Sequence, residues 1–563
     1  MNGSRGISFI GSVALLVSSM TGPGLVTIPL LFQTSGWLLP TIMFTIAMSL
    51  GASASLLLCE ALTTIHGNER FQRKIEFTHL SNLLIHNRKV RIIVQIIMYL
   101  AIESIIIASI ILSAQAMDWM LLKIAGRTCG FSLHPDLGFI CVDEETNENN
   151  PFGSNYMLAT SGFMITVAFC VPLAFLDLVD NIIVQIASFG ALIFIIITWI
   201  VTFILTGLTK DYIPLVSNDQ SQVVGTVLFN YAFITTVPSW VNELRPDVCI
   251  KKSIWYSVII STASYIVLGI LGGMAYQMGL ASNIIAEINA SSHRNFVTDI
   301  ATFVFPVAVL LTSIPVQFIV VRYNLVRSGF CKKGMATVLS ILLPWLIVIP
   351  FQTGYWLNIF TNWASLLFTS TSNFIIPFYL YYLSQKQKEH STIEIEHREK
   401  GLESSMNPVN KTNQSNESLV NATIVTFSSP KTKASDTLNG TINEKAARTT
   451  SNVDEAEEDL LDPNRLPRSN NDNVSIILSR KNLSNSGYAH SKQRSTTTND
   501  IDEIYSNKPS KNSFVAFPIQ RKKRTIISVV AGITSIILVG AIIIYDLVEL
   551  SLGHNVFDLN EEN

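Results

Sequence analysis

Charge is scarce in this sequence: Asp, Glu, Lys and Arg make up 14% of its 563 residues, against 48% that are hydrophobic. Disordered chains are not that apolar, and soluble domains carry about 25% charge, so the composition is that of a membrane protein. Cysteine is scarce as well, and six are too few for a disulfide scaffold. The nine histidines lie in loops, tails or span ends. No His/Cys/carboxylate cluster has metal-ligand or triad spacing, and nothing marks an enzyme. A Walker-type phosphate loop is missing too, so ATP is not expected to drive anything here, and nucleic acid is not an expected partner. The first apolar run is too long for a signal peptide and has no small-residue cleavage site; it is expected to insert as a span.

What the sequence has is apolar length. Stretches of about 20 residues, each enough to cross about 30 Å of hydrocarbon, recur about eleven times. They fall at 7–33, 38–65, 90–117, 156–176, 182–207, 223–242, 254–276, 296–320, 335–353, 356–384 and 525–546. The fold class is therefore an all-α integral membrane protein embedded in the lipid bilayer. The formal net charge of -2 says nothing about partners, because in a polytopic chain the placement of charge matters more than its sum. Arg70, Arg73, Lys74, Arg88 and Lys89, then Arg245, Lys251 and Lys252, then Arg322, Arg327, Lys332 and Lys333 occupy every second loop. With Arg5 before the first span and Arg521 to Arg524 before the last, they place the N-terminus and residues 385–523 in the cytosol.

Residues 385–523 turn to Asn, Ser, Thr, Lys and Glu and read as a disordered cytosolic insert between a core of 1–384 and an eleventh span with a short acidic tail, 524–563. The expected topology hides the Asn-x-Ser/Thr triplets at Asn410 and Asn421 from glycosylation, leaving Asn289 as the candidate acceptor. Cys129 and Cys141 share the one large non-cytosolic loop, as a disulfide or as two free thiols.

The first span is interrupted by "TGPGLVTIP", Thr21 to Pro29, and the sixth by "NYAFITTVP", Asn230 to Pro238. Both end in Thr, an aliphatic residue and Pro, and each opens a five-span unit, about 7–207 and 223–384. Five spans is an odd number, so the two units enter from opposite faces. An inverted repeat with discontinuous first helices points to a transporter site near the midplane. The freed N–H groups of Gly22, Gly24 and Leu25 would attract a carboxylate, with Thr21 beside them. Around the second break, carbonyls near Asn230 and Tyr231 would accept from an ammonium, and Phe233 would close over the ligand. The plainer roles are a proline kink in one span and ordinary core aromatics in the other.

These stretches resemble the amino acid/auxin permease family. The likeness starts at "SSMTGPGLVTIPLLFQTSGW" and continues through "PLAFLDLVDNIIVQIASFGALI", "VGTVLFNYAFITTVPSWVNELRP", "IVLGILGGMAYQMG" and "LLTSIPVQFIVVR", over about 7–384. The resemblance implies a fold of LeuT type, five plus five helices and one more, and movement of amino acids with protons or sodium. It puts a sodium-coordinating hydroxyl at Thr312 or Ser313, whose alternative role is a bond back to a helix carbonyl. Many members carry Asn where this chain has Ser18, a departure that weakens sodium coupling. Glu103, near the middle of the third span, costs about 2.5–3.5 kcal/mol to insert and is the candidate for a proton, or else pairs with a hydroxyl.

Secondary active amino acid transport is the function these readings imply, with no cofactor beyond the coupling ion, in the plasma membrane or a vacuolar or endolysosomal membrane. An amino acid sensor of the same fold, signalling through 385–523, is the alternative.

Overall fold

In hydrocarbon a chain must satisfy its own backbone hydrogen bonds, and the apolar runs accordingly fold as helices. The computed structural model describes residues 6–134, 137–143, 151–152, 155–217, 220, 222–279, 283–291, 295–352, 360–405 and 513–551. The chain divides into a unit of residues 1–401 and 500–563 and another of 402–499; of the latter only 402–405 are described.

Helices α1 Phe9–Met20 and α2 Ile28–Ser35 make the broken first span, followed by α3 Leu38–Thr63, the short α4 Phe77–Leu84 and the long α5 Arg88–Ala125. Next come α6 Ser161–Ala174, α7 Leu178–Thr206, then α8 Gln222–Asn230 and α9 Val237–Val241 of the broken sixth span. The second half continues with α10 Ile250–Ala275, α11 Ile284–Ala290, α12 Phe296–Phe305, α13 Leu311–Arg327 and α14 Lys333–Val348. It closes with α15 Ile376–Ser405 and α16 Arg521–Ser551.

Among the described residues eight helical stretches are long and apolar enough to cross a membrane. Three expected spans fall short for separate reasons. The first is split. The fourth loses its start, because Tyr156–Thr160 is a β-strand (β3) and α6 begins only at Ser161. The tenth enters through π-helical turns, Phe360–Thr369 and Thr371–Ile375, before α15. Strand β3 joins β1 Thr128–His134 and β2 Gly138–Val142 in an antiparallel sheet of order β2-β1-β3. Cys129 lies opposite Cys141 in that sheet, and the two are joined as a disulfide.

Both ends of the expected insert are ordered. No Gly or Pro falls between Phe378 and Lys400, and the Glu, Lys and Gln that read as disorder are also strong helix formers, so α15 runs on to Ser405. Residues 513–520 return to the core; the rest of the expected insert, 406–512 with Asn410 and Asn421, lies outside the described residues.

The charged loops meet at one end of the bundle. Lys74 pairs with Glu243 at 2.8 Å, Arg327 reaches Glu243 at 3.4 Å and also bonds Glu76, and Glu76 accepts from Ser239 at 2.5 Å and Asn242 at 3.1 Å. Ile7 forms a parallel bridge with Leu244, and Arg245 Nε donates to Gly6 O at 2.8 Å. The first span, the second loop, the sixth span and α13 are thereby tied together. Loops of the other parity meet elsewhere: Gln352 Nε2 donates to Leu158 O at 2.7 Å, and Trp37 N to Pro214 O at 3.1 Å.

Candidate functional site

The first break is built by its own residues. After Met20 the backbone turns at Gly22 (φ -85°, ψ -141°), makes one 3-10 turn over Pro23–Val26, and resumes as α2 with Pro29 in its first turn. Pro23 and Pro29 lack the N–H that an unbroken helix would need at each point. Two of the three N–H groups expected to be free close the turn instead, Gly22 to Met20 O at 2.9 Å and Leu25 to Gly22 O at 3.2 Å. Gly24 N–H is the one the turn does not use. Thr21 Oγ1 bonds back to Val17 O at 2.8 Å, which commits its hydroxyl to α1.

Small residues then let the half-helix α2 lie close to α10. A Cβ on Gly269 would fall 2.6 Å from the Phe32 ring, and one on Gly272 3.0 Å from Pro29 Cγ. Gly269, Gly272 and Gly273 thus form a flat strip for α2, as small residues do in membranes, where no hydrophobic drive brings helices together. Gln33 pins the far end, donating to Gly273 O at 2.7 Å and Tyr276 O at 2.5 Å while accepting from Met278 N at 3.0 Å.

The second break repeats the plan: α8 ends at Asn230, Tyr231 and Ala232 N–H bond three residues back to Leu228 and Phe229 at 3.2 Å, and a 3-10 turn, Ile234–Thr236, leads into α9. The structure brings the two breaks into contact. A Cβ on Gly24 would lie 2.4 Å from Asn230 Oδ1. Asn230 Nδ2 donates to Thr226 O at 2.8 Å, and its backbone carbonyl accepts from Tyr265 OH at 3.3 Å. Beside this contact Gly22 is buried, yet a Cβ there would meet no atom within 4 Å. The break borders open space inside the fold.

Tyr231 and Phe233 face α3 instead. Tyr231 OH donates to Phe44 O at 3.2 Å and bonds Thr262 Oγ1, and its ring packs with Phe44 and Tyr265. Both rings press on Gly51, where a Cβ would be 3.5 Å from Phe233 and 3.6 Å from Tyr231. They hold the second break against α3; Tyr231's hydroxyl is already committed. Thr312 Oγ1 bonds Ala308 O at 2.7 Å and Ser188 Oγ of α7 at 3.0 Å, and Ser313 Oγ bonds Leu310 O at 2.9 Å. Both hydroxyls thus bond back to helix carbonyls, just beyond the π-turn Pro306–Leu310, while their oxygen lone pairs stay available. Asn289 sits half-buried in α11.

Among the described residues, Ser18 Oγ, Glu103 Oε2, Asn230 Oδ1, Thr235 Oγ1 and Thr236 Oγ1 are buried polar atoms with no hydrogen-bond partner. Each buried polar atom without a partner calls for an explanation, a functional role among them. Thr235 and Thr236 were not singled out from the sequence, and neither was Asn373, whose Oδ1 accepts from Thr235 N at 3.1 Å and so caps the second break from the tenth span. The polar run Thr369 to Asn373 inside an apolar stretch was the available signal. A separate cavity lined by Gln115, Asp118, Thr160 and Gln352 is an anchor for α6, since Asp118 accepts from Thr128 Oγ1 at 2.8 Å and Gly162 N at 2.6 Å.

Mhp1, a nucleobase-cation-symport-1 family transporter in a closed conformation with bromovinylhydantoin bound, is similar at 13% identity and TM-score 0.46, over 68% of this chain and 80% of that one. A variant of the Eremococcus coleocola manganese transporter is similar at 15% identity and TM-score 0.42, over 66% and 78%. No curated protein matches the sequence. Residues 5–398 match the family described as transmembrane amino acid transporter protein, a stretch that holds both broken helices and the Gly24–Asn230 contact, and the chain belongs to that family.

Proposed function

We propose that this membrane transporter moves amino acids by secondary active transport, with the substrate bound where the two breaks meet. The observation that supports it is the Gly24–Asn230 contact beside the open space at Gly22. Amino acids carry a carboxylate and an ammonium at fixed separation. Gly24 N–H and the positive end of α2 suit the carboxylate, while Asn230 Oδ1, without a partner, suits the ammonium. Helix dipoles at a water-poor site act strongly because little solvent screens them.

A proton is the coupling ion this reading favours over sodium. Ser18 offers a shorter oxygen ligand than an Asn amide. Glu103 Oε2 is buried without a partner, as a carboxyl that takes up and releases a proton would be. The test is uptake of a panel of labelled amino acids into proteoliposomes, with sodium and pH gradients imposed separately. Accumulation against a gradient supports the reading. Binding of an amino acid with no flux under either gradient would make the protein a sensor, and flux that only equilibrates would make it a channel.

A further inference from the structure

Glu60, on the last turns of α3, is 5% exposed, and a carboxylate so buried needs partners. They come from the far end of the sequence. Ala516 N donates to Glu60 Oε2 at 2.8 Å, and Arg524 Nη2 lies 3.1 Å from Oε1. Tyr381 OH of α15 donates to Oε1 at 3.2 Å. The segment Phe514–Gln520, just before α16, is thus seated on the core as a bound peptide would be. Ala516 is 2% exposed. Phe514 presents its ring edge to Phe71 at 6.0 Å and lies under Lys251 Nζ at 5.7 Å. Arg524 ties the segment down from behind, donating to Phe517 O at 3.2 Å and to Ile519 O. Arg521 then fastens α16 to α15 through Gln385, at 2.8 Å to Oε1.

Phe71 sharpens the point. Its φ is +57°, the only non-glycine residue in the left-handed region among those described. Such a conformation persists where the surroundings hold it, and the Phe514 ring packs against this residue.

Two of the anchor points of this segment lie on the helices that pack against the second break. Tyr231 and Phe233 pack on α3, and Thr262 of α10 bonds Tyr231. Glu60 is at the end of α3 and Lys251 at the start of α10. The other attachments, Tyr381 and Gln385, are on α15. We infer that Phe514–Arg524 is an intramolecular strap that holds α3 and α10 against α15 and must let go of Glu60 for the breaks to move relative to the tenth span. In transporters built this way one set of helices rocks against the rest, so a strap across the two sets acts as a brake.

The test uses the full chain. In Ala516→Cys, which keeps the N–H donor, maleimide labelling should be slow, and adding Glu60→Gln should accelerate it about tenfold as the strap lifts. Native Cys59, fully buried beside Glu60, should label faster in Ala516→Pro, which removes the N–H donor, and in Phe514→Ala. In proteoliposomes Ala516→Pro and Phe514→Ala should raise maximal uptake about fivefold, the lower range of couplings between distant sites. The uptake arm rests on the transport reading and the labelling arm does not. If wild type moves no amino acid, the transport reading fails and labelling alone decides the strap. Unchanged labelling of Cys59 and of Ala516→Cys overturns the strap, and so does faster labelling with uptake lowered or unchanged in a transporting protein.

Discussion

Gly24 and Asn230 occupy each other's space: a Cβ on Gly24 would stand 2.4 Å from Asn230 Oδ1 and 2.6 Å from Nδ2. One residue comes from the first span of the chain's first half and the other from the first span of its second half. Glycine is required at 24 because the partner amide is there, whereas Gly22, nearby in the same turn, faces open space.

Gly24→Ala should therefore displace the Asn230 amide, and uptake should fall about a hundredfold, the scale on which a misplacement of 1 Å acts. Gly22→Ala should fold normally, and Gly22→Leu should fold but block uptake by filling the space. Labelled uptake beside thermal melting separates the two effects. Wild-type uptake by Gly24→Ala refutes the contact as part of the site.

Glu103→Gln removes the titratable group from the middle of α5 while keeping its shape. Uptake driven by a pH gradient should collapse in this variant, and replacing sodium with an inert cation should leave the wild type unchanged. Loss of wild-type uptake without sodium, together with an unaltered pH profile in Glu103→Gln, would favour sodium.

The Glu76 cluster should matter far more than the Lys74 contact next to it. Glu76 has no exposed side-chain surface, so Arg327→Ala leaves a buried carboxylate short of its cation and should cost about 3 kcal/mol. Lys74 is 56% exposed, and Lys74→Ala should cost less than about 1 kcal/mol. Adding Glu76→Gln to Arg327→Ala should recover part of the loss. Equal melting temperatures for the two single variants would show that the cluster does not hold this end of the bundle.

Sidedness is open to a direct check. In sealed right-side-out vesicles an impermeant reductant followed by an impermeant maleimide should label Cys129 and Cys141 and spare exposed Cys249 in the loop after α9. Labelling of Cys249 alone reverses the orientation.

Much of this was legible in the sequence because the bilayer limits what an apolar run can do. A stretch such as 254–276 has to be a helix, and alternate loops rich in Lys and Arg share a side. The breaks were legible for the same reason: Pro23 cannot donate, and Gly22 and Gly24 favour an irregular backbone wherever they are placed. Tertiary structure alone decided which faces meet. Gly269, Gly272 and Gly273 became the bed for α2, Tyr231 and Phe233 turned toward α3, and Glu60 drew in the backbone of Ala516. Those outcomes depend on helices far apart in the chain arriving at the same depth and rotation, which the composition of one segment does not encode. Helix formation is fixed locally by the solvent, whereas a buried polar atom finds its partner only when distant segments pack around it.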